Sequence, residues 1–434
     1  MSASIPADDL AAAIQADDTV AASRLLQNHP ELKSQLDDKM PGGSFGATPL
    51  LAAVYKGNAD MVELLLEAGA SINARSDWWA GGFGVLDHDS SLVQLLIEHG
   101  ATVDVHAASR LGLLDRLEDL LTGDPSLVHA RGGDGQTPLH FASAVPVAEY
   151  LLQHGADIDA RDVDHESTAA QWMVRDRTAV ARYLVDRGCA TDILLAAALG
   201  DLKRIAEHLD SNPASIRTTV SEAFFPMDDP RSGGTIYNWT LGAGKSAPIV
   251  ARDFRHEDAF MFLMERSPDE LQFSVWCELG DERQVAALLS RDPQLPQRLG
   301  GSELRKLPDA ARDRNHPAVT LMLSAGWPVD ARGQHGGTAL HWAAWNGDST
   351  LTRELLRHRP ALEITDHDYH GTPLFWAVYG SVNGWRCRTG DYPGVVEVLL
   401  NSGASPPQLT ATLQASAPVR QVLEKWVRGD AAPS

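Results

Sequence analysis

Along most of the chain, apolar residues fall at helical spacing in short paired blocks. Ala47–Ala74 reads ATPLLAAVYKGNADMVELLLEAGASINA. A first apolar run stops at a glycine, a second ends in Leu-Leu, and Gly-Ala and an Asn-containing turn follow. Spacings of three and four predict an α-helix for each run, and the glycine between them suits a left-handed helix end. Gln136–Ala160 (QTPLHFASAVPVAEYLLQHGADIDA) and Gly337–Leu362 (GTALHWAAWNGDSTLTRELLRHRPAL) repeat the pattern, and Gly371–Ser405 opens GTPLFWAVYG and closes VVEVLLNSGAS. Weaker copies cover Phe83–Asp104, Val105–Arg131, Ser167–Asp192, Asp192–Leu209, Pro248–Met264, Phe273–Leu289 and Leu307–Ala331. Each pair is apolar on both sides and cannot bury those faces alone. Only stacking of neighbours makes a core, so the pattern predicts one continuous all-α array of about twelve helix pairs.

Four openings share one motif: Thr48–Leu51, Thr137–His140, Thr338–His341 and Thr372–Phe375. With the second helices that follow, they resemble the ankyrin repeat, and the likeness extends to large stand-alone bacterial arrays. The motif has a mechanism. Thr caps the first helix, Pro fits its first turn and Leu enters the core. The resemblance implies an ankyrin-repeat solenoid with short β-turn hairpins, two insertions and helical caps at both ends. Its expected divisions are an N-terminal capping helix pair at 1–46, a first half of repeats at 47–219 and an insertion loop at 220–246. A second half follows at 247–406 with an insert at 381–390, then a helical cap and tail at 407–434. The closing cap is read as a helix pair over Leu409–Val427. In the family the motif histidine is structural, and His140 and His341 inherit that role. Phe375 and Leu51 replace it elsewhere.

Charge narrows the partners. Lys and Arg number 37 against 58 Asp and Glu, a net charge of −21. Binding to nucleic acid or an anionic membrane needs a basic surface, so both are excluded as expected partners. A partner with a basic patch fits better. The three cysteines, Cys189, Cys277 and Cys387, are far apart and odd in number, which argues against a disulfide framework. Neither a signal peptide nor a membrane-spanning stretch is recognisable, so a cytoplasmic location is expected. Polar caps at both ends predict a monomer.

Candidate chemistry concentrates in the C-terminal part. Five of the 11 tryptophans lie between residues 327 and 385. In an ankyrin array the residues before the mid-repeat glycine face a concave groove. That position holds Tyr55, Arg110 and Trp345, and in looser alignment Arg175, Arg312 and Tyr379. Aromatic and Arg residues are the usual anchors of a binding surface. The candidate ligand-binding set is Arg175, Arg312, His341, Trp345, Trp376, Tyr379, Trp385 and Arg386. If the site is catalytic, Asp366 and His370 are the acid–base pair. The triplets Asp87-His88-Asp89 and Asp164-His165-Glu166 and the cluster Asp366, His367, Asp368 and His370 match no zinc-binding spacing and are expected to serve turn structure. No metal or other cofactor is expected.

LGAGKS at Leu241–Ser246 is not a phosphate-binding loop, because Trp239 stands where the first glycine belongs. Cys277 is expected to be buried, and Cys387, between Arg386 and Arg388, is a weak nucleophile candidate. The leading functional reading is a binding scaffold that takes a protein or peptide in its concave groove without catalysis. The alternative is a small-molecule-binding protein or enzyme whose aromatic, His, Asp and Arg-lined pocket lies in the C-terminal half of the groove, closed by the two insertions.

Overall fold

The computed structural model describes residues 6–387, 389–410 and 412–429. Arg388, the second neighbour of Cys387, lies outside the described residues. The described chain is helical, with no β-strand beyond the isolated bridges Arg161–Thr168, Thr219–Ser246 and Arg332–Thr338. The chain divides into two compact units. One comprises Met1–Ser211, Val220–Lys245 and Asp253–His256; the other comprises Asn212–Thr219, Ser246–Arg252 and Glu257–Ser434.

In the first unit, helices Pro6–Gln15 and Thr19–Asn28 precede the pair Pro49–Lys56 and Ala59–Glu67. The Thr48 hydroxyl accepts the Leu51 amide at 3.2 Å with Pro49 behind it, the capping the motif predicts. The first helix ends on Gly57 at φ 69°, where a side chain would strain the backbone. Val93–Glu98 is a single short helix, as the shortened repeat suggests. The pairs Val105–Leu111/Leu114–Gly123, Pro138–Phe141/Val145–Gln153, Ala169–Met173/Thr178–Asp186 and Ile193–Leu199/Leu202–Ser211 follow. Ile14 of the first helix pair, Leu51 and Leu65 of the next and Leu96 of the shortened repeat are fully buried in one cluster. The core is therefore a row of nearest-neighbour contacts.

The second unit repeats the plan through Asp269–Glu278/Glu282–Arg291, Lys306–Arg312/His316–Ser324, Ala339–Trp345/Ser349–Leu356 and Pro373–Asn383/Tyr392–Asn401. Phe273, Leu340, Leu374 and Leu399 lie in its core. One difference from expectation is at the end. Residues 409–416 form no helix among those described, and the closing helix Ala417–Arg428 stands without the partner expected for a pair. It buries Val419 and Leu423.

The insertion is ordered. Its base is tied by Val220 N–H to the Lys245 carbonyl (2.9 Å) and Gly244 N–H to the Val220 carbonyl (2.8 Å). Tyr237 is fully buried, and its hydroxyl donates to Asp192 at 2.8 Å. Lys245 pairs with Asp253 at 3.1 Å.

Candidate functional site

Two hairpin-turn regions carry the chemistry, one in each unit. They share a scaffold. The Thr137 and Thr338 hydroxyls each lie 2.9 Å from the Nδ1 of the histidine three residues on. The far nitrogen of that histidine reaches the next repeat, His140 Nε2 to the Ser167 carbonyl and His341 Nε2 to the Gly371 carbonyl, both at 3.1 Å. Burial pushes both histidines down to about 4, so they stay neutral.

Each following turn is organised by one buried aspartate. Asp162 accepts the amides of His165 (2.7 Å) and Ser167 (2.8 Å) and the Trp172 indole N–H (3.2 Å). Asp366 accepts the amides of Asp368 (3.0 Å), Tyr369 (2.6 Å) and Gly371 (2.8 Å) and the Trp376 indole N–H (2.9 Å). Although burial opposes its charge, these donors hold the Asp366 carboxyl below its usual range. Arg131 and Arg332 brace the two turns alike, each donating to one carbonyl of its own hairpin (Gly135, Gly336) and one at the start of the next repeat's turn (Arg161, Thr365).

In the second unit the first-helix face is a continuous aromatic surface. Trp376 touches His341, Trp342 and Trp345 edge-on, with ring centroids 5.1–5.9 Å apart. Trp345 stacks on Tyr379 (6.2 Å), and Tyr379 stacks on Phe375 (6.0 Å). Such stacks are usually buried, yet Phe375 is 39% exposed and Tyr379 38%; Tyr369, in the preceding turn, is 65% exposed. The indole N–H groups of Trp342 and Trp345 are buried with no hydrogen-bond partner among the described residues. A surface hollow of about 260 Å³ lies beside the ladder, lined by Glu363, Tyr369, His370 and Phe375 among others.

The candidate residues separate on this scaffold. Trp345, Trp376 and Tyr379 share the aromatic face. His341 lies beneath it with both nitrogens used. Asp366 is the turn organiser, while His370 is exposed on the hollow at φ 54°, and no hydrogen bond joins the two. Arg312 is buried in ion pairs with Asp309 (2.9 Å) and Asp313 (3.0 Å). Arg386 also reaches Asp313 (3.1 Å) and lies over Trp385, which is 71% exposed. The insert thereby folds back on the Arg312 repeat, and Tyr392 fastens it through the carbonyls of Cys387 (2.8 Å) and Trp345 (3.0 Å). Arg175 belongs to the first unit, where it holds the Thr240 carbonyl of the insertion at 2.5 Å. Cys277 and Cys189 are buried, which pushes both thiols up to about 12 and makes them poor nucleophiles.

In the first unit the 220–245 insertion lies over the turns. Glu166 accepts the amides of Asp228 (2.8 Å) and Asp229 (3.1 Å). Arg231 sits 4.3 Å over Trp79, and Trp239 sits 4.8 Å from the His165 ring. Beneath it, Asp134, Asp164 and His165 converge, all three more than nine-tenths buried. Spacing alone marks Asp164-His165-Glu166 as turn structure and leaves Asp134 unmarked. The signal was there in the register: Asp134 stands where the second unit has His335, and both take a left-handed φ, 54° and 61°.

Helix pairs with threonine-capped first helices and stacked hairpin turns define a helical repeat-array protein. The chain is an ankyrin-repeat protein. The ankyrin-repeat family matches residues 45–77 and 134–163 singly and 307–409 as three tandem copies. It is similar to the transient receptor potential cation channel subfamily A member 1 of Drosophila melanogaster, 26% identical over 36% of this chain and 12% of that one. It is also similar to a mouse ankyrin repeat and SAM domain-containing protein, 30% identical over 22% of this chain and 11% of the relative. An Arabidopsis thaliana serine/threonine-protein kinase is 52% identical over 10% of each chain. The chain thus spans about a tenth of the length of these relatives. Ankyrin repeats serve in general as protein-interaction modules. No helix among the described residues is long and apolar enough to cross a membrane.

Proposed function

We propose that the protein is a binding scaffold whose second unit captures a peptide segment of a partner protein on the aromatic face, without itself catalysing a reaction. The observation that carries this reading is the stack Phe375–Tyr379–Trp345, open at Phe375 and Tyr379, with exposed Tyr369 on the adjoining hollow and exposed Trp385 on the insert of the same repeat. Stacked aromatic rings left open to water are what a partner surface covers. Glu363 lines the hollow beside Phe375, and the chain carries a net charge of −21. Both favour a basic segment whose Lys or Arg side chains lie over the rings. A small-molecule pocket would need convergent free polar groups. On this face Asp366, His341 and Arg312 spend theirs on protein partners.

Selection of a displayed random-peptide library against the full chain tests the reading. The expected result is enrichment of Lys/Arg-containing peptides. Binding should fall at least about tenfold in both Tyr379→Ala and Trp385→Ala while stability changes little, as for truncation of exposed anchors. No enrichment, or peptides that bind both variants as well as the parent, would sink it. Cytoplasmic location and a monomeric state accompany the proposal; sedimentation checks the latter.

A further inference from the structure

We propose that Asp134, Asp164 and His165 form a binding site for one divalent transition-metal cation, which fastens the 220–245 insertion to the hairpin turns. The inference goes beyond partner binding and stands apart from it. It also revises the expectation, drawn from spacing alone, that no metal is held.

One potential ligand atom from each of the three residues lies within 4.8 Å of the others. Each side chain is fixed by a group outside the trio that leaves one atom available. His165 Nδ1–H donates to the Gly234 carbonyl at 2.7 Å. That bond selects the tautomer with a lone pair on Nε2, the usual support of a metal-bound imidazole. Nε2 lies 3.5 Å from Asp164 Oδ2. Asp164 Oδ1 accepts the Gly233 amide at 3.1 Å, leaving Oδ2 toward His165. Asp134 Oδ1 accepts the Trp78 indole N–H at 3.0 Å, and its Oδ2 receives no hydrogen bond among the described residues.

Charge is the second, independent observation. Asp134 and Asp164 are 6% and 3% exposed, and Asp162, 3% exposed, adjoins them. No Lys or Arg pairs with Asp134 or Asp164 among the described residues. Buried carboxylates are ordinarily paired or bound to a metal. Burial, then the Asp164 charge, pushes the Asp134 carboxyl up to about 7. A bound cation would supply the missing positive charge.

The donor set chooses the metal. Two carboxylates and an imidazole suit Zn²⁺ or Mn²⁺, whereas Mg²⁺ and Ca²⁺ favour oxygen alone. Three protein ligands leave a position for water. The cation would couple three segments. Asp134 comes from one turn, Asp164 and His165 from the next, and Gly233 and Gly234 of the insertion hold the latter two.

Equilibrium dialysis of untagged, chelator-stripped full chain against Zn²⁺, with excess Mg²⁺ present, reads the site. One Zn²⁺ per chain is expected. Asp134→Asn and Asp164→Asn should each weaken binding at least about tenfold. Asn keeps an oxygen for the Trp78 or Gly233 donor and tolerates the left-handed backbone at 134, so folding should be preserved. In the parent protein, Zn²⁺ should also slow proteolysis within 220–245 at fixed protease. Absence of saturable Zn²⁺ binding, or binding undiminished in both variants, would overturn the proposal.

Discussion

The turn at 162–167 and the turn at 366–371 have one backbone and two chemistries. In both, an aspartate gathers the turn amides and a tryptophan N–H, and a motif histidine braces the next repeat. The preceding tip is held alike, with Val163 N–H on the Asp134 carbonyl and His367 N–H on the His335 carbonyl, both at 2.8 Å. The tips then differ. In the second unit His335 Nδ1 meets Asp368 Oδ2 at 2.6 Å, so the pair satisfies itself. In the first unit the same two positions are Asp134 and Asp164, like charges that cannot. An added His165 and an overlying insertion complete a site that calls for a cation, whereas Tyr369, at the position of His165, is open to solvent. The repeat scaffold therefore sets where side chains meet, and one or two residues at the tip decide what they can hold.

The largest effects should fall on the shared scaffold. Asp162→Ala and Asp366→Ala each strand two or three turn amides and an indole N–H, and should cost about 3 kcal/mol or more in denaturant unfolding. A much smaller loss at one of them would mean the two turns are not equivalent.

Next come the motif histidines. His140→Leu and His341→Leu should each cost about 1–3 kcal/mol at pH 7 through the lost bonds. The pH dependence has a definite sign. Both histidines are depressed to about 4 when folded, against about 6.5 when unfolded. The unfolded chain therefore takes up protons first. Stability should fall as pH drops from about 6.5 toward 4, by up to about 3 kcal/mol per histidine. Each Leu variant should flatten that acid limb; an unchanged limb would place the proton uptake elsewhere.

The tips should respond least. His335→Asn breaks a partly exposed pair and should cost under about 1 kcal/mol. Asp134→Asn should leave metal-free stability unchanged or raise it slightly, since it removes one of two like charges. A loss above about 1 kcal/mol would show that Asp134 is compensated in the folded chain. Thermal melts of the metal-free proteins measure both.

The fold was legible because threonine caps, mid-repeat glycines and Leu-Leu helix ends recur at one period, and a stacked core needs that period. The closing segment departs from the expected pair because 409–416 lacks the apolar spacing of a first helix. The aromatic face was half visible. Trp345 and Tyr379 stand just before Gly347 and Gly380, the glycines that mark the groove position in sequence, but exposed Tyr369 and Phe375 depend on which side of the turn meets water. Asp366 and His370 share a turn in sequence, yet the left-handed residue at 370 places the histidine on the hollow while the aspartate is spent on amides. The Asp134 cluster was least visible. Its members come from two turns and depend on an insertion that arrives about 70 residues later in the chain. No local spacing encodes such a meeting; only the register of one repeat on the next does.

Hydrogen–deuterium exchange of the full chain, with and without Zn²⁺, tests most directly whether the two turns have diverged. New protection should be confined to 162–167 and the insertion around 228–236. The amides of 335–341 and 366–371 should exchange as before. Equal protection at both turns, or none at either, would contradict the account.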